Sequence, residues 1–434
     1  MPNLDRPTDE VTSKPLVIVV GSGMRLYREY LLKSIAEHAR VFLLTGWRPT
    51  WEQPYIEGYA KVDLRDVEQL VAEASAVAGR EKVSGVVGWD EVRMVATTEL
   101  ACALGVPATS PESVRRCRDK HETRLALQAA GVGQPRSAVA ETLEQASRYA
   151  EDFGYPVVIK PRRLAASIGV STADSPATLQ RAFEDALHAI GEGVADRGKG
   201  VLVEECVTGE EISVDCALVD GRLWPMFVAR KMLGFDPYCE EVGHLVDARD
   251  PLLTDPELIW MLRAAHDAIG YRHGITHTEV MLTAAGPKII EINARLGGDL
   301  IPLAASIATG LDIGAVVTAV SIGQLPVLPE YPAELARVDF VYPEFDMRVA
   351  EVTIPTGELP PGVQRVAALA APGQVLRLPP RGHVFSRYGY LITHGQTAAE
   401  CERAAAAGRQ LFTITAAERL DDQPRALAMA SESS

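Results

Sequence analysis

Residues 272–299, RHGITHTEVMLTAAGPKIIEINARLGGD, decide how the rest of the chain is read. Within them residues 276–282 alternate, with β-branched Thr276, Thr278 and Val280 on one face and His277, Glu279 and Met281 on the other. Gly286-Pro287 is a turn signal, and residues 288–293 read as a second strand. If the two strands pair as a hairpin, the period of two puts Glu279, Glu291 and Asn293 on one face. Folding about residue 285 then sets Glu279 nearly opposite Glu291, with Cβ atoms roughly 5 Å apart. Two carboxylates facing each other in a half-buried sheet repel, so a positive group belongs between them. Two acids and an amide oxygen are hard ligands, suited to a Mg²⁺ ion that also takes phosphate oxygens. Arg295 follows two residues later, aimed at the same site, and Gly297-Gly298-Asp299 opens an apolar helix whose N-terminus can hold an anion. Ile289, Ile290 and Ile292 mark the second strand as largely buried, which argues against a merely solvated polar face.

A glutamate followed twelve positions later by E-x-N-x-R (Glu279, then Glu291, Asn293 and Arg295) resembles the magnesium-binding end of the ATP-grasp superfamily, enzymes that join a carboxylate to a nucleophile through an acyl phosphate. Three further segments carry the same resemblance in the same order. Lys120 lies in RCRDKHETRLAL, within a helical pattern over residues 114–130, where the family places a phosphate-contacting lysine. Lys160 ends the apolar strand-like run YPVVIKP and delivers an ammonium to a sheet edge, where it can pair with phosphates. The loop RRLAASIGV that follows departs from the glycine-rich family version at Leu164, Ala165 and Ala166, leaving Ser167 and Gly169 as its recognisable part. The polyglycine loop of biotin carboxylases is absent, which counts against carboxylase chemistry. In VLVEECVTGEEISVD, residues 201–215, the resemblance implies that backbone groups near Glu205 and Val207 read adenine, with its amino group on the Glu204 side, and that Glu211 binds the ribose hydroxyls.

Residues 234–249 show no regular periodicity and are expected to form a loop that reads substrate. Their E-x-G-H, with Glu241 and His244, is similar to bacterial L-amino-acid ligases, and so is His277 in THTE. The resemblance therefore implies an amide-forming ligase that consumes ATP and releases ADP and phosphate, with two Mg²⁺ ions for which Mn²⁺ can substitute. Glu279, Glu291 and Asn293 would hold the metal, Arg295 would stabilise charged transition states, and His277 or His244 would move protons or bind substrate. The expected partners are a small carboxylate and a small amine, amino acids foremost, and dimers are common among such proteins. A purine-pathway or D-alanine–D-alanine-like ligase shares the hinge and metal motifs, and a non-catalytic ATP-binding protein is the alternative from another class.

Charge and composition bound these readings. Against 43 Lys and Arg stand 58 Asp and Glu, a net charge of −15, which argues against a nucleic acid or an anionic membrane as partner. No apolar run approaches the length of a membrane span, and the first residues, MPNLDRPTDEVTSK, have no hydrophobic segment of the signal type. The six cysteines include no C-x-x-C pair, so neither zinc nor a disulfide framework is indicated. The expected location is cytoplasmic.

At the front of the chain, the β-rich run 16–20 stops at Gly21-Ser22-Gly23, a helical pattern covers 26–38, and strands are expected at 41–45 and 85–88. The third glycine of a dinucleotide fingerprint would fall at Leu26, so the glycines are read as a tight strand-to-helix turn. The fold class is thus mixed α/β and α+β in several domains. A doubly wound α/β domain is expected over 15–112 and a two-lobed ATP-grasp domain over 113–200 and 201–330. A small β-rich α+β subdomain follows over 331–422, with polar tails at 1–14 and 423–434.

Overall fold

The structure, a computed structural model, describes residues 14–164, 167–189, 198–327 and 334–420. The two expected tails and Ala165-Ala166 lie outside these residues, save for Lys14. The chain divides into two compact units that interleave in sequence, one made of Met1–Pro135, Val207–Ala229 and Ala248–Pro332, the other of Arg136–Cys206, Arg230–Asp247 and Ala333–Ser434.

The first unit begins with LVIVV, five residues without a charge that form the wholly buried strand β1 (Leu16–Val20). It continues through α1 (Arg25–His38), β2 (Arg40–Thr45), β3 (Gly58–Lys61), α2 (Val67–Ala78), β4 (Val83–Val87) and α3 (Met94–Leu104). The four strands are parallel, in the order β3-β2-β1-β4. The strand expected at 85–88 is therefore the fourth. The third, GYAK, is a short half-exposed edge strand with no apolar run to announce it. The chain leaves β1 to one side and returns to β4 on the other, so their carboxyl ends flank a topological switch point, where open α/β sheets place ligands.

Across residues 114–130 the structure has two helices, α4 (Pro111–Arg118) and α5 (Lys120–Ala129), where the periodicity implied one. Asp119 breaks them: its backbone is extended, at φ −104° and ψ 103°, and its carboxylate accepts from the His121 backbone N–H at 3.1 Å. Lys120 is thereby the first residue of a helix rather than a mid-helix charge.

The rest of this unit is an antiparallel ladder in which Gly286–Asn293 pairs with Gly274–Thr283, which pairs with Glu210–Val219, followed by Arg222–Gly234. Helix Pro256–Ile269 packs beneath it, and Val280, Ile289 and Ile292 join Leu262 and Ala265 in one core. His266 ties helix to sheet, with Nδ1 at 2.7 Å from the Leu262 carbonyl and Nε2 at 2.7 Å from Thr276 Oγ1. The apolar stretch after residue 300 forms Ile301–Thr309 and Ile313–Ser321, bent by 111° at the Gly310 break. Among the described residues no single helix is long and apolar enough to cross a membrane. Gly314 lets the second of these lie against α1, since a Cβ there would stand 2.5 Å from the Ile35 backbone nitrogen.

In the second unit, Ser137–Ala140, Val201–Glu205, Val157–Pro161 and Ser171–Ala173 make an antiparallel sheet. Helices Leu143–Phe153 and Pro176–His188 cover it around a core containing Ile159, Val203 and Phe183. Strands Glu240–Asp247, Leu335–Val341, Gly389–Gly395 and Val363–Ala368 form a second antiparallel set, with helix Ala398–Arg409 packed on it. The loop expected over 234–249 is thus corrected to a strand for most of its length. Its pattern was hidden because the residues it buries include Glu240 and His244, polar groups held by partners from the same unit. Met347–Thr353 and Thr413–Arg419 are strands that the sequence did not announce; the latter is almost wholly exposed and is held by backbone pairing to the former.

Burial holds the His266 imidazole down to about 4, although the Leu262 carbonyl and Asp267 pull the other way. The folded protein therefore excludes a proton that the unfolded chain binds below about pH 6.5. This contribution is intact above that pH and is lost as the pH falls toward 4. The thermal midpoint, followed from pH 7 to 4.5, should drop, and drop less steeply in His266→Gln; parallel curves would place the acid sensitivity in another group.

Candidate active site

The hairpin register sets Glu279 directly opposite Glu291 and His277 opposite Asn293, with a bulge between Glu279 and Val280. The positive group that this opposition demands is Lys120, whose Nζ lies 3.0 Å from Glu291 Oε1. Local structure explains how it arrives there. Residues four apart share a helix face, and one turn beyond Lys120 the buried Arg124 donates to the carbonyls of Ile289 and Ile290 at 3.2 and 2.8 Å. Arg124 thus clamps α5 to the second hairpin strand and carries Lys120 to the carboxylate. The Glu279 and Glu291 side chains each keep 16% of their surface exposed, so they reach solvent despite the buried strands around them. Accessible carboxylate oxygens beside an amide, with no thiolate among them, fit a hard divalent cation better than a soft one.

His277 is held by a group that sequence reasoning did not single out. The fully buried Asp215, on the neighbouring strand and in register with His277, places Oδ1 2.6 Å from His277 Nδ1. Its other oxygen accepts from the Gly297 backbone N–H at 2.7 Å. With Nδ1 engaged, His277 turns Nε2 toward Glu279, 3.9 Å from Oε1. The space at Gly297 is tight, since a Cβ would stand 3.0 Å from the imidazole and 3.2 Å from the Asp215 carboxylate. The sequence signal was an aspartate inside the otherwise apolar run of a buried strand.

Arg295, expected to aim at the facing acids, forms its ion pair with Glu91, Nε to Oε2 at 2.8 Å, and donates to the Leu296 carbonyl. Glu91 lies just past β4, in the segment Trp89-Asp90-Glu91 that the sequence reading passed over.

In the second unit, Lys160 ends its strand as expected and contacts Glu204 Oε2 at 2.6 Å, both side chains almost wholly buried. The structure therefore engages the Glu204 side chain, expected beside adenine, with that lysine. Glu205 accepts from the Arg136 backbone N–H at 3.2 Å. In the first unit, Val207 precedes the strand Glu210–Val219, in which Glu211 sits opposite Met281. Ser167 adopts φ 53° and Gly169 φ 74°; at Gly169 a Cβ would lie 2.6 Å from that of Ala189, so the glycine is required. Glu241 gathers Lys231 Nζ at 3.3 Å, His244 Nε2 at 3.3 Å and Ser167 Oγ at 3.5 Å. Burial alone would raise the Glu241 carboxyl, but Lys231, His244 and Arg387 together hold it well below the usual carboxylate range. Its neighbour Glu240 accepts from Tyr342 at 2.7 Å and faces His383 Nδ1 at 3.1 Å.

Comparison with known proteins follows this geometry. Residues 153–302 match the ATP-grasp domain family. Carnosine synthase 1 of Gallus gallus is 27% identical over 258 residues, covering 56% of this chain and 28% of the relative. Alanine–anticapsin ligase of Bacillus subtilis is 27% identical over 276 residues, 57% of this chain and 55% of the relative. The chain thus spans between about a quarter and about half of the length of these two relatives. The crystal structure of an L-amino acid ligase from Bacillus licheniformis superposes with a TM-score of 0.74, at 19% identity, covering 94% of this chain and 99% of that one. The shared fold is clear at that score.

Lys120→Met would leave Glu279 and Glu291 opposed without their ammonium and should cost about 2 kcal/mol, less than a fully buried pair because the acids are partly solvated. Adding Glu291→Gln should recover most of that loss in urea unfolding. A double variant no more stable than the single one would mean that Lys120 acts by packing instead.

Proposed function

We propose that the chain is an ATP-dependent ligase joining a carboxylate to an amine through an acyl phosphate, with release of ADP and phosphate, a reading supported by the match of residues 153–302 to the ATP-grasp domain family. The observation that carries this reading is the pair Glu279 and Glu291 in direct register, flanked by Asn293 and His277 and touched by Lys120. Relatives whose names specify ligation of an amino acid support amino acids as substrates.

In the proposed reaction a substrate carboxylate oxygen attacks the γ-phosphorus, and the bond to the β–γ bridging oxygen breaks with its electron pair leaving on ADP. The amine nitrogen then attacks the acyl carbon, the C–N bond forms, phosphate departs with the C–O electron pair, and the nitrogen loses a proton. Lys120 and Lys160 serve as phosphate contacts, Ser167 and Gly169 as the loop that covers them, and Glu204, Glu205, Val207 and Glu211 as nucleoside contacts. Glu279, Glu291 and Asn293 would hold Mg²⁺, which when bound neutralises charge on the phosphate oxygens; two ions, replaceable by Mn²⁺, are proposed. Arg295 stabilises anionic charge on the reacting groups. His277, with Nδ1 held by Asp215, can take the amine proton at Nε2 and leave a stabilised imidazolium, as the buried carboxylate of a catalytic dyad does. His244, beside Glu241, is proposed to bind substrate or move a proton.

A phosphate-release screen with MgATP against amino acids, singly and in pairs, tests the reading. Release requiring two amino acids, with an amide product by mass, is expected. Release only with a nucleotide-like amine would move the chain to a purine-pathway branch. Glu291→Ala should lower ADP formation about a hundredfold or more with an unchanged circular dichroism spectrum. Near wild-type turnover in that variant would overturn the metal assignment.

A further inference from the structure

A cavity of ≈ 90 Å³ lies in the first unit behind the carboxyl end of β4, walled by apolar groups that include Val87, Met94, Ala101, Leu296 and Val317. Trp89 and Arg295 also line it. Trp89 follows β4 at the switch point between β1 and β4, where the sheet order directs a ligand, and Arg295 is tied to the same segment through Glu91. Trp89 is 1% exposed, and its indole N–H has no hydrogen-bond partner among the described residues. Thr97 Oγ1, on the same wall, is likewise unpartnered. Buried donors left in this state are costly and call for a ligand or water oxygen. The Gly21-Ser22-Gly23 turn leaves room beside this indole: a Cβ on Gly23 would stand 3.4 Å from Trp89 Nε1 and 3.7 Å from Asp90 Oδ1.

Arg295, on the cavity wall, belongs to a charged cluster. Arg28, from α1, lies within electrostatic reach of Asp90, Arg295 and Asp299, while Arg93 pairs with Asp90 and Arg295 with Glu91. Three guanidiniums among three carboxylates suit a zwitterion rather than a bare anion or cation. The cavity behind them is smaller than the roughly 150 Å³ that takes a benzene ring, so it fits a branched aliphatic group and excludes an aromatic one.

We propose that this cavity takes the branched aliphatic side chain of an α-amino-acid substrate, whose carboxylate accepts from the Trp89 indole N–H beside Arg295. The assignment rests on the ligase reading for its role in turnover, and names the substrate class that reading leaves open. Burial of each methylene is worth roughly fourfold in affinity, so the side chain dominates selection among amino acids.

Calorimetric titration of the full chain with L-leucine, L-valine, glycine and L-phenylalanine, with and without MgADP, tests the pocket directly. Leucine or valine should bind at least tenfold tighter than glycine or phenylalanine. Ala101→Leu, which fills the space, should weaken leucine at least tenfold and leave glycine unchanged; if it does not fold, Val317→Leu narrows the same space. Trp89→Phe, which keeps the bulk and removes the N–H, should weaken every amino acid about tenfold. Equal binding of all four, a profile unmoved by filling the cavity, or no amino-acid binding in either nucleotide state would overturn the proposal. Parallel phosphate-release assays separate the two readings. Selective binding without any turnover leaves the pocket standing and defeats the ligase, whereas turnover without side-chain preference does the reverse.

Discussion

Across the hairpin of the first unit two carboxylates stand face to face. Glu279 and Glu291 stand in direct register, and like charges directly opposite on one face of a sheet are destabilising. The fold sets the Lys120 ammonium against Glu291, and placing that ammonium requires several other features in turn. Asp119 must end one helix so that Lys120 can begin the next. Arg124 must bind the Ile289 and Ile290 carbonyls to fix the helix against the strand. The Ile-rich strand must be buried enough to hold its register. Helix break, guanidinium clamp and apolar strand together keep the acids opposed.

The same logic recurs wherever this protein buries a charge. Asp215 has no exposed surface, yet both its oxygens are engaged, one by His277 and one by the Gly297 backbone. In the second unit Lys160 meets Glu204, and Glu241 meets Lys231 and His244. Buried ions contribute little net stability compared with well-packed apolar residues, and losing one partner is far more costly than losing both. Retaining so many of them is better explained by the alignment they impose. An imidazole clamped through Nδ1 by a carboxylate has a defined orientation and a defined basic nitrogen, and an ionised Glu241 fixes its lysine and histidine in the same way.

Legibility followed the source of each signal. The hairpin was readable because alternation and a turn dipeptide are local, and once the turn is placed the pairing of Glu279 with Glu291 is arithmetic. Lys160 was readable as the polar end of an apolar strand. Asp215, Glu91 and Arg124 were not, since nothing local distinguishes a buried, paired acid or arginine from a solvated one. The strand Glu240–Asp247 looked like a loop because the side chains it buries include Glu240, which is satisfied by Tyr342 and His383, both distant in sequence. Edge strands such as Gly58–Lys61 and Thr413–Arg419 carry little apolar pattern because backbone pairing holds them.

By itself the sequence determined the hairpin, the apolar buried strands such as Leu16–Val20 and the face on which the acids of the hairpin lie, because these depend on side-chain period and on residues a few positions apart. Tertiary structure alone decided which cation neutralises Glu291, which acid orients His277, where Arg295 is held, and that an apolar cavity stands behind Trp89. Each of those is a contact between residues far apart along the chain, and its energy comes from desolvation and distance, which no local pattern encodes.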